Sequence, residues 1–333
     1  MSLLETRDLN VWFDLPHGGQ LHAVQGVSFA VNAGERLGLV GESGCGKTTA
    51  LLALMGLLPP SATVGGSVTV NGEELLSGGE DAMRPHRWAD VAMVFQGAMN
   101  ALNPVKTVGS QIEEPMKYHG TATGAMAEKQ TGELLELVGL PASAAKRFPH
   151  EFSGGMRQRA AIAMALACSP KVLLADEPTT ALDVMVQAQI LQLLESLTAD
   201  LGLALILVTH DLPLVTQVCE RAVVMYAGRV AETGSVDRLF HEPRHPYTRL
   251  LFGATPDLSG KEDVVSIAGA PPRLDRPIVG CPFAPRCDRV FEPCAVHMPE
   301  LVSVGDGHEA ACHLNDAAYD GAREPHEPHE VAP

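Results

Sequence analysis

The stretch Gly41-Glu42-Ser43-Gly44-Cys45-Gly46-Lys47-Thr48 decides the fold. It fits the pattern G-x-x-x-x-G-K-[ST] without a gap. An apolar run, Leu37 to Val40, leads into it, and a helical pattern, Thr49 to Leu58, leads out. Strand, loop and helix in that order form a P-loop, the context in which the pattern binds phosphate. Its glycines let backbone N–H groups turn inward around phosphate oxygens, and the helix N-terminus adds a favourable dipole. Lys47 is placed to reach β- and γ-phosphates, and Thr48 to ligate Mg2+. The phosphate-binding set is Gly41, Ser43, Gly44, Cys45, Gly46, Lys47, Thr48 and Thr49. A glycine-rich turn matches by chance in about one chain per hundred of this length, and the flanking strand and helix lower that further.

Downstream, Val172 to Ala175 is an apolar strand that ends in two carboxylates, Asp176 and Glu177. An acidic pair after a strand is by itself an ordinary solvated loop. With a P-loop upstream, Asp176 becomes a candidate Mg2+ ligand and Glu177 the general base that polarises a water beside the γ-phosphate.

The wider sequence agrees. Short β-rich runs alternate with helical patterns over residues 1–240, as in an α/β domain built on a largely parallel sheet. Strand candidates are Arg36 to Val40, Val91 to Phe95, Val172 to Ala175 and Leu205 to Thr209; Val68 to Val70 enters an Asn71-Gly72 turn. Between Gly97 and His150 the pattern turns helical, with candidates at Thr107 to Tyr118 and Ala125 to Val138. From His241 proline and glycine become frequent and the elements short. After Asn315 the chain is acidic, carries three prolines and has no apolar periodicity, so a disordered tail is expected over 316–333.

Composition excludes several classes. The formal net charge of −16 over 333 residues argues against a sequence-blind nucleic-acid binder and against a polybasic membrane anchor. No run approaches the roughly 18 to 20 apolar residues of a membrane span, and Met1 to Asn10 lacks the apolar core of a signal peptide. A cytosolic chain that reaches a membrane only through a partner is the expectation. Of seven cysteines, Cys281, Cys287, Cys294 and Cys312 crowd into one late segment, which in a cytosolic protein favours metal over disulfides.

Phe152-Ser153-Gly154-Gly155-Met156-Arg157-Gln158-Arg159 precedes Asp176 by about twenty residues. Ser153 can cap the helix from Gly155 to Cys168, making its tip a second phosphate-binding surface. The octet, in this order after the P-loop and before Asp176, resembles the signature motif of the ABC (ATP-binding cassette) ATPases. The resemblance covers roughly residues 1–240. It implies a P-loop NTPase (RecA-like) core with a β subdomain and a helical subdomain at about 97–170, and Mg2+-dependent ATP hydrolysis.

The same resemblance assigns weaker positions. Gln96 matches the Q-loop glutamine, which senses Mg2+ and couples to the membrane subunit. Ala181-Leu182-Asp183 matches the D-loop, and His210 the switch histidine that contacts the γ-phosphate. Phe13, with Trp12 as its rival, is the candidate for stacking on adenine. In this family two ATPase subunits close head to tail, so Ser153, Gly154 and Gly155 would cover a partner's P-loop. Met156 departs from the family's usual glutamine; that residue is familiar in the peptide-importer branch.

Three further stretches resemble the dipeptide/oligopeptide branch, which also includes nickel and sugar-oligomer importers: Ala101-Leu102-Asn103-Pro104, His245-Pro246-Tyr247-Thr248, and Gly280-Cys281-Pro282-Phe283-Ala284-Pro285-Arg286-Cys287. The resemblance implies a small irregular C-terminal domain at 241–315. It also implies a second ATPase subunit (a heterodimer), two permease subunits and an extracytoplasmic solute-binding protein as partners, and a peripheral position on the cytoplasmic side of the membrane. The Cys281, Cys287, Cys294 and Cys312 spacing is wider than the pairs of structural zinc sites. It suits a [4Fe-4S] cluster, which some family members carry here, with Zn2+ or free thiols as alternatives and His297, His308 and His313 as further ligands. A non-transport ABC ATPase acting on nucleic acid or ribosomes is the competing function. A single P-loop, no sustained heptads and the acidic charge weigh against it.

Overall fold

Apolar runs far apart in sequence lie side by side as parallel strands. The computed structural model describes residues 2–97, 101–253 and 267–322. Its strands are β1 (Leu4–Asp14), β2 (Gln20–Val31), β3 (Arg36–Val40), β4 (Ala62–Val70), β5 (Glu73–Glu74), β6 (Val91–Val94), β7 (Val172–Asp176), β8 (Ala204–Val208), β9 (Arg221–Tyr226), β10 (Arg229–Ser235), β11 (Val302–Gly305) and β12 (His308–Ala310). The larger sheet runs β11-β12-β10-β9-β3-β8-β7-β6. Its β6, β7, β8, β3 and β9 are parallel. Every residue of β6, β7 and β8 is buried, because helices cover both faces of a parallel sheet and leave no solvent face for polar residues. The smaller sheet, β2-β1-β4-β5, is antiparallel. Asn71 and Gly72 join β4 to β5 with φ of 53° and 82°, the left-handed pair that a tight hairpin requires. Polar residues interrupt β1 and β2, so neither stands out among the apolar runs of the sequence.

The helices are α1 (Lys47–Leu54), α2 (Gly79–Met83), α3 (Val108–His119), α4 (Gly124–Leu137), α5 (Gly154–Ala165), α6 (Val184–Leu201), α7 (Leu212–Val218), α8 (Val236–His241), α9 (Pro246–Gly253) and α10 (Glu292–Val296). Thr107 caps α3 and Ser153 caps α5, each side chain accepting from a backbone N–H three residues on. α3 packs on α4 and α5, and Ile112, Met116, Leu135 and Ile162 bury their side chains in the main core. Each such residue contributes about 1.5–3 kcal/mol relative to exposure. α5 ends at Ala165, with Leu166 as its C-cap, and not at Cys168.

The C-terminal segment is short in its elements, as its prolines and glycines predict, and it adds to the main sheet: β12 pairs with β10 through Glu232↔Ala310 and Thr233↔Glu309. The tail expected from residue 316 is ordered further than composition suggests. Ala317–Ala322 forms a 3-10 turn, because the Tyr319 ring packs edge-on against Phe291 and His313. The rest of that tail, 323–333, lies outside the described residues. Among the described residues no helix is long and apolar enough to cross a membrane.

Candidate functional site

The P-loop turns where β3 ends. Gly41 has φ of 146°, and a Cβ there would stand 2.2 Å from the Met225 carbonyl oxygen; at Gly46, φ 105°, it would stand 2.6 Å from the Ala23 oxygen. Only glycine lets the loop pass this close to β9 and β2. Lys47 is buried, and its Nζ donates to the carbonyls of Gly41 (2.7 Å) and Glu42 (3.0 Å). Ser43, Gly44 and Thr48 face solvent. Cys45 is buried, and burial raises its thiol pKa. Thr49 follows Thr48 in the first turn of α1.

The predicted acidic, amide and imidazole groups meet at the neighbouring strand ends. The Thr48 hydroxyl donates to Asp176 Oδ1 (3.2 Å). Burial raises the Asp176 carboxyl pKa against the opposing effect of that hydrogen bond. Glu177 is the focus of a second set. Its Oε1 lies 2.9 Å from His210 Nδ1, and its Oε2 accepts from Gln96 Nε2 (2.8 Å) and the Thr180 hydroxyl (2.9 Å). Burial would raise the Glu177 pKa. The His210 and Thr180 hydrogen bonds, with the charges of His210 and Lys47, outweigh it and hold the carboxyl below the ordinary range. Glu177 adopts φ of 45°, with its N–H on the Val208 oxygen at 2.9 Å. A non-glycine residue in that region carries strain that surrounding contacts must hold. Gln96 follows β6, Glu177 follows β7 and His210 follows β8, so three adjacent parallel strands deliver one cluster.

Other predicted residues lie apart from this cluster. The Ser153 side chain accepts from Met156 N, and Asp183 accepts from Val186 N to cap α6. Among the described hydrogen bonds neither side chain reaches the P-loop. Gly154 and Gly155 open α5, and a Cβ at Gly155 would stand 2.6 Å from Val186, so the tips of α5 and α6 abut. Phe13 packs against the core cluster that contains Cys45, whereas Trp12 stacks on His22 (centroids 4.6 Å apart).

Cys281, Cys287, Cys294 and Cys312 are free thiols. They converge: Cys281 N–H donates to the Cys294 carbonyl (2.8 Å), and ionising Cys312 is opposed by the charges of the other three. Burial raises all four, Cys287 and Cys312 to about 12. Among the described residues, however, no three His, Cys, Asp or Glu side chains form a group that could hold a metal ion. His308 and His313 are engaged elsewhere, with Glu232 Oε1 (2.6 Å) and the His297 carbonyl (2.9 Å). The iron–sulfur and zinc expectations gain no support here.

Sequence reasoning missed Thr180, Glu42, Tyr247 and Arg286. Tyr247 and Arg286 lie inside stretches that marked the importer branch, but nothing in their spacing shows that both reach the P-loop. The Tyr247 hydroxyl accepts from Glu42 N–H (2.8 Å), and Arg286 forms a two-pronged ion pair with the Glu42 carboxylate (2.6 and 2.8 Å).

The chain is similar to known proteins along nearly all its length. Residues 24–180 match the family model described as ABC transporter, and 231–294 the one described as oligopeptide/dipeptide transporter, C-terminal region. The probable peptide ABC transporter ATP-binding protein y4tR of Sinorhizobium fredii is 48% identical, with 93% of this chain and 94% of that one covered. The dipeptide transport ATP-binding protein DppD of Bacillus subtilis is 45% identical, with 95% of each covered. The oligopeptide transport ATP-binding protein OppD of Escherichia coli is 45% identical, with 93% of each covered. Among solved structures, the ATP-binding cassette MJ0796, a dimer in a post-hydrolysis state with ADP and Pi, superposes with a TM-score of 0.62 at 28% identity, over 70% of this chain and 98% of that one. The cbiO1 protein of Clostridium perfringens superposes with a TM-score of 0.61 at 27% identity, over 72% and 91%.

Proposed function

This chain belongs to the ATP-binding proteins of the ABC transporter family, and on that premise we propose that it is the ATP-hydrolysing subunit that energises an importer of di- or oligopeptides. The observation that carries the reading is the meeting of Gln96, Glu177 and His210 beside Lys47, Thr48 and Asp176 at the ends of adjacent parallel strands. The peptide cargo rests on the names of the relatives and on the match of residues 231–294.

In the proposed mechanism the P-loop backbone and Lys47 bind the phosphates. Thr48 and Asp176 fit as residues that would hold Mg2+: a hydroxyl and a carboxylate, both oxygen donors, already share a hydrogen bond. The ion supplies charge neutralisation at the phosphates. Glu177, kept ionised by His210 and Thr180, accepts the proton of the attacking water, and His210 and Gln96 orient its two oxygens. Phe13 remains our candidate for stacking on adenine. Trp12 is already stacked on His22.

Residues 1–240 form the nucleotide-binding domain, with its helical subdomain at about 97–170, and 241–315 the C-terminal domain. Ser153, Gly154, Gly155 and Asp183 serve a second, homologous ATPase subunit. Beside Asp183, Val184 and Met185 are 78% and 72% exposed, an apolar tip suited to such a partner. A cleft of about 600 Å3 between the α2–β6 connection and α3, lined by Arg84, Trp88, Lys106, Gln111, Tyr118 and Met164, is our candidate seat for a permease subunit on the cytoplasmic membrane face. Cys281, Cys287, Cys294 and Cys312 are the proposed ligands of an iron–sulfur cluster, Zn2+ being the alternative. The reading rests on their crowding in the sequence and on the family resemblance, and such a group would brace a segment built of short, irregular elements.

The test is anaerobic affinity purification of the full chain from mild-detergent membranes, with mass spectrometry and iron and zinc analysis. Two multi-span permeases, a second ATPase and a solute-binding protein are expected, with iron bound. Soluble recovery with nucleic acid or ribosomes would overturn the importer reading, and metal-free protein would overturn the cluster.

A further inference from the structure

Glu42 sits in the P-loop but takes its partners from the C-terminal segment. Its N–H is held by the Tyr247 hydroxyl (2.8 Å), and its carboxylate by both prongs of the Arg286 guanidinium (2.6 and 2.8 Å). Its carbonyl accepts from Lys47 Nζ (3.0 Å). Every polar group of Glu42 is therefore engaged, and all but one by residues more than 200 positions away. Arg286 is itself fixed. Its side chain is only 5% exposed, Nε donates to the Ala268 carbonyl (2.9 Å), and Nη1 donates to the Tyr226 hydroxyl (3.1 Å). Its guanidinium lies 5.8 Å from the Tyr226 and Phe283 ring centres, and Tyr226, Tyr247 and Phe283 pack on one another at 4.6 to 5.3 Å. The guanidinium is thus held on every side and the pair is largely buried, the setting in which a two-pronged ion pair gives geometry as well as attraction.

We infer that Arg286 is a positioning residue for ATP binding: through Glu42 it fixes the entry of the P-loop, so that the arrangement of the Cys281–Cys287 segment is felt at the nucleotide site. Arg286 ends the 3-10 turn Ala284–Arg286, directly before Cys287. Any rearrangement of that turn moves the guanidinium, and with it the residue whose carbonyl Lys47 touches. Arg286 also neutralises a carboxylate that would otherwise stand unpaired beside a polyanionic ligand. The inference rests on the reading of Gly41 to Thr48 as a nucleotide site.

The experiment is a double-mutant cycle in the full chain, read by equilibrium binding of a fluorescent ATP analogue and by thermal melting without nucleotide. Arg286→Ala and Glu42→Gln are each expected to weaken binding about tenfold, with the double variant no weaker than the worse single. Arg286→Lys, which keeps charge and loses the fork, falls between wild type and Arg286→Ala. Unchanged affinity in folded Arg286→Ala, with only a lower melting temperature, would overturn the inference and leave Arg286 a structural residue. Additive losses would overturn it too. Should Arg286→Ala not fold, Arg286→Lys and Glu42→Gln complete the same cycle. Wild type that binds no more tightly than Lys47→Ala would instead refute the nucleotide reading itself.

Discussion

Two regions meet at the P-loop, and they are built on opposite principles. The strand-end cluster rests on β6, β7, β8 and β3, whose residues are almost wholly buried and mostly apolar, and it presents its polar side chains at or just past the C-terminal ends of strands, Asp176 being the last residue of β7. The C-terminal segment has no fully buried strand among its described residues, although Tyr247, Phe252 and Phe283 join the main core. It is tied on by polar contacts: Arg286 to Glu42, Tyr247 to the P-loop backbone, and Glu232 to His308. A carboxylate in the first region, Glu177 or Asp176, is met by side chains of the proposed site and of the loop beside it. A carboxylate in the second is consumed in holding structure. The difference teaches where chemistry is possible, because a carboxylate whose partners are backbone groups or a buried guanidinium of the fold has nothing left to offer a substrate.

The largest expected effect tests the first half of that contrast. Glu177→Gln keeps the size of the side chain and its contacts with His210 and Thr180 but cannot take a proton. ATP turnover is expected to fall by roughly 10^2 to 10^4-fold while ATP binding persists. The measurement is steady-state phosphate release alongside nucleotide affinity. Hydrolysis within a few-fold of wild type would remove Glu177 from the role of base and place it among the structural carboxylates.

Sequence and structure coincide closely in the first region for a physical reason. A strand buried on both faces must be apolar throughout, so β3, β7 and β8 announce themselves, and a functional residue just past such a run is conspicuous. Asp176 and Glu177 were legible in this way, whereas His210 took its role from the family resemblance. Gly41 and Gly46 were legible because no other residue survives their φ values and close approaches. Thr180 was not, since a threonine near a turn has many uses and only the folded loop brings it to Glu177. In the second region the informative contacts span long separations, 244 residues from Arg286 to Glu42. No periodicity encodes a pair like that. The cysteines were visible as a group, but whether they bind metal depends on distances that spacing does not fix.

Glu232 tests the second half. It lies on β10, fully buried, and accepts from the backbone N–H groups of Arg244 (2.7 Å) and His245 (2.9 Å), while the His308 imidazole approaches at 2.6 Å. Glu232→Ala strands all three in a site without solvent. The expected cost is about 3–5 kcal/mol, read as a lower midpoint in urea unfolding of the full chain. Because His245 lies two residues before Tyr247, whose hydroxyl holds the P-loop backbone at Glu42, ATP affinity should weaken in the same variant. A loss below about 1 kcal/mol, in the range of a surface pair, would mean the segment is held mainly by its apolar contacts and the contrast between the regions is overstated.

The smallest effect has the opposite sign, and it separates the two kinds of carboxylate most sharply. Burial raises the Asp176 pKa above its ordinary value near 3.8, and the Thr48 hydroxyl only partly offsets that. An acid with a raised folded-state pKa binds its proton more readily in the folded chain than in the unfolded one. Its contribution to stability is therefore fullest below the unfolded value and is lost as pH rises through the folded one. At neutral pH the ionised Asp176 works against folding. Asp176→Asn removes the charge and keeps an oxygen for Thr48, so without nucleotide its melting temperature should rise by roughly 2 °C, and the gain should shrink as pH falls toward 4. Turnover should be lost together with the carboxylate proposed to hold Mg2+. A melting temperature that drops by as much would show Asp176 to be net stabilised by its neighbours, in the manner of Glu232, and a strained carboxylate kept for chemistry would no longer distinguish the nucleotide site.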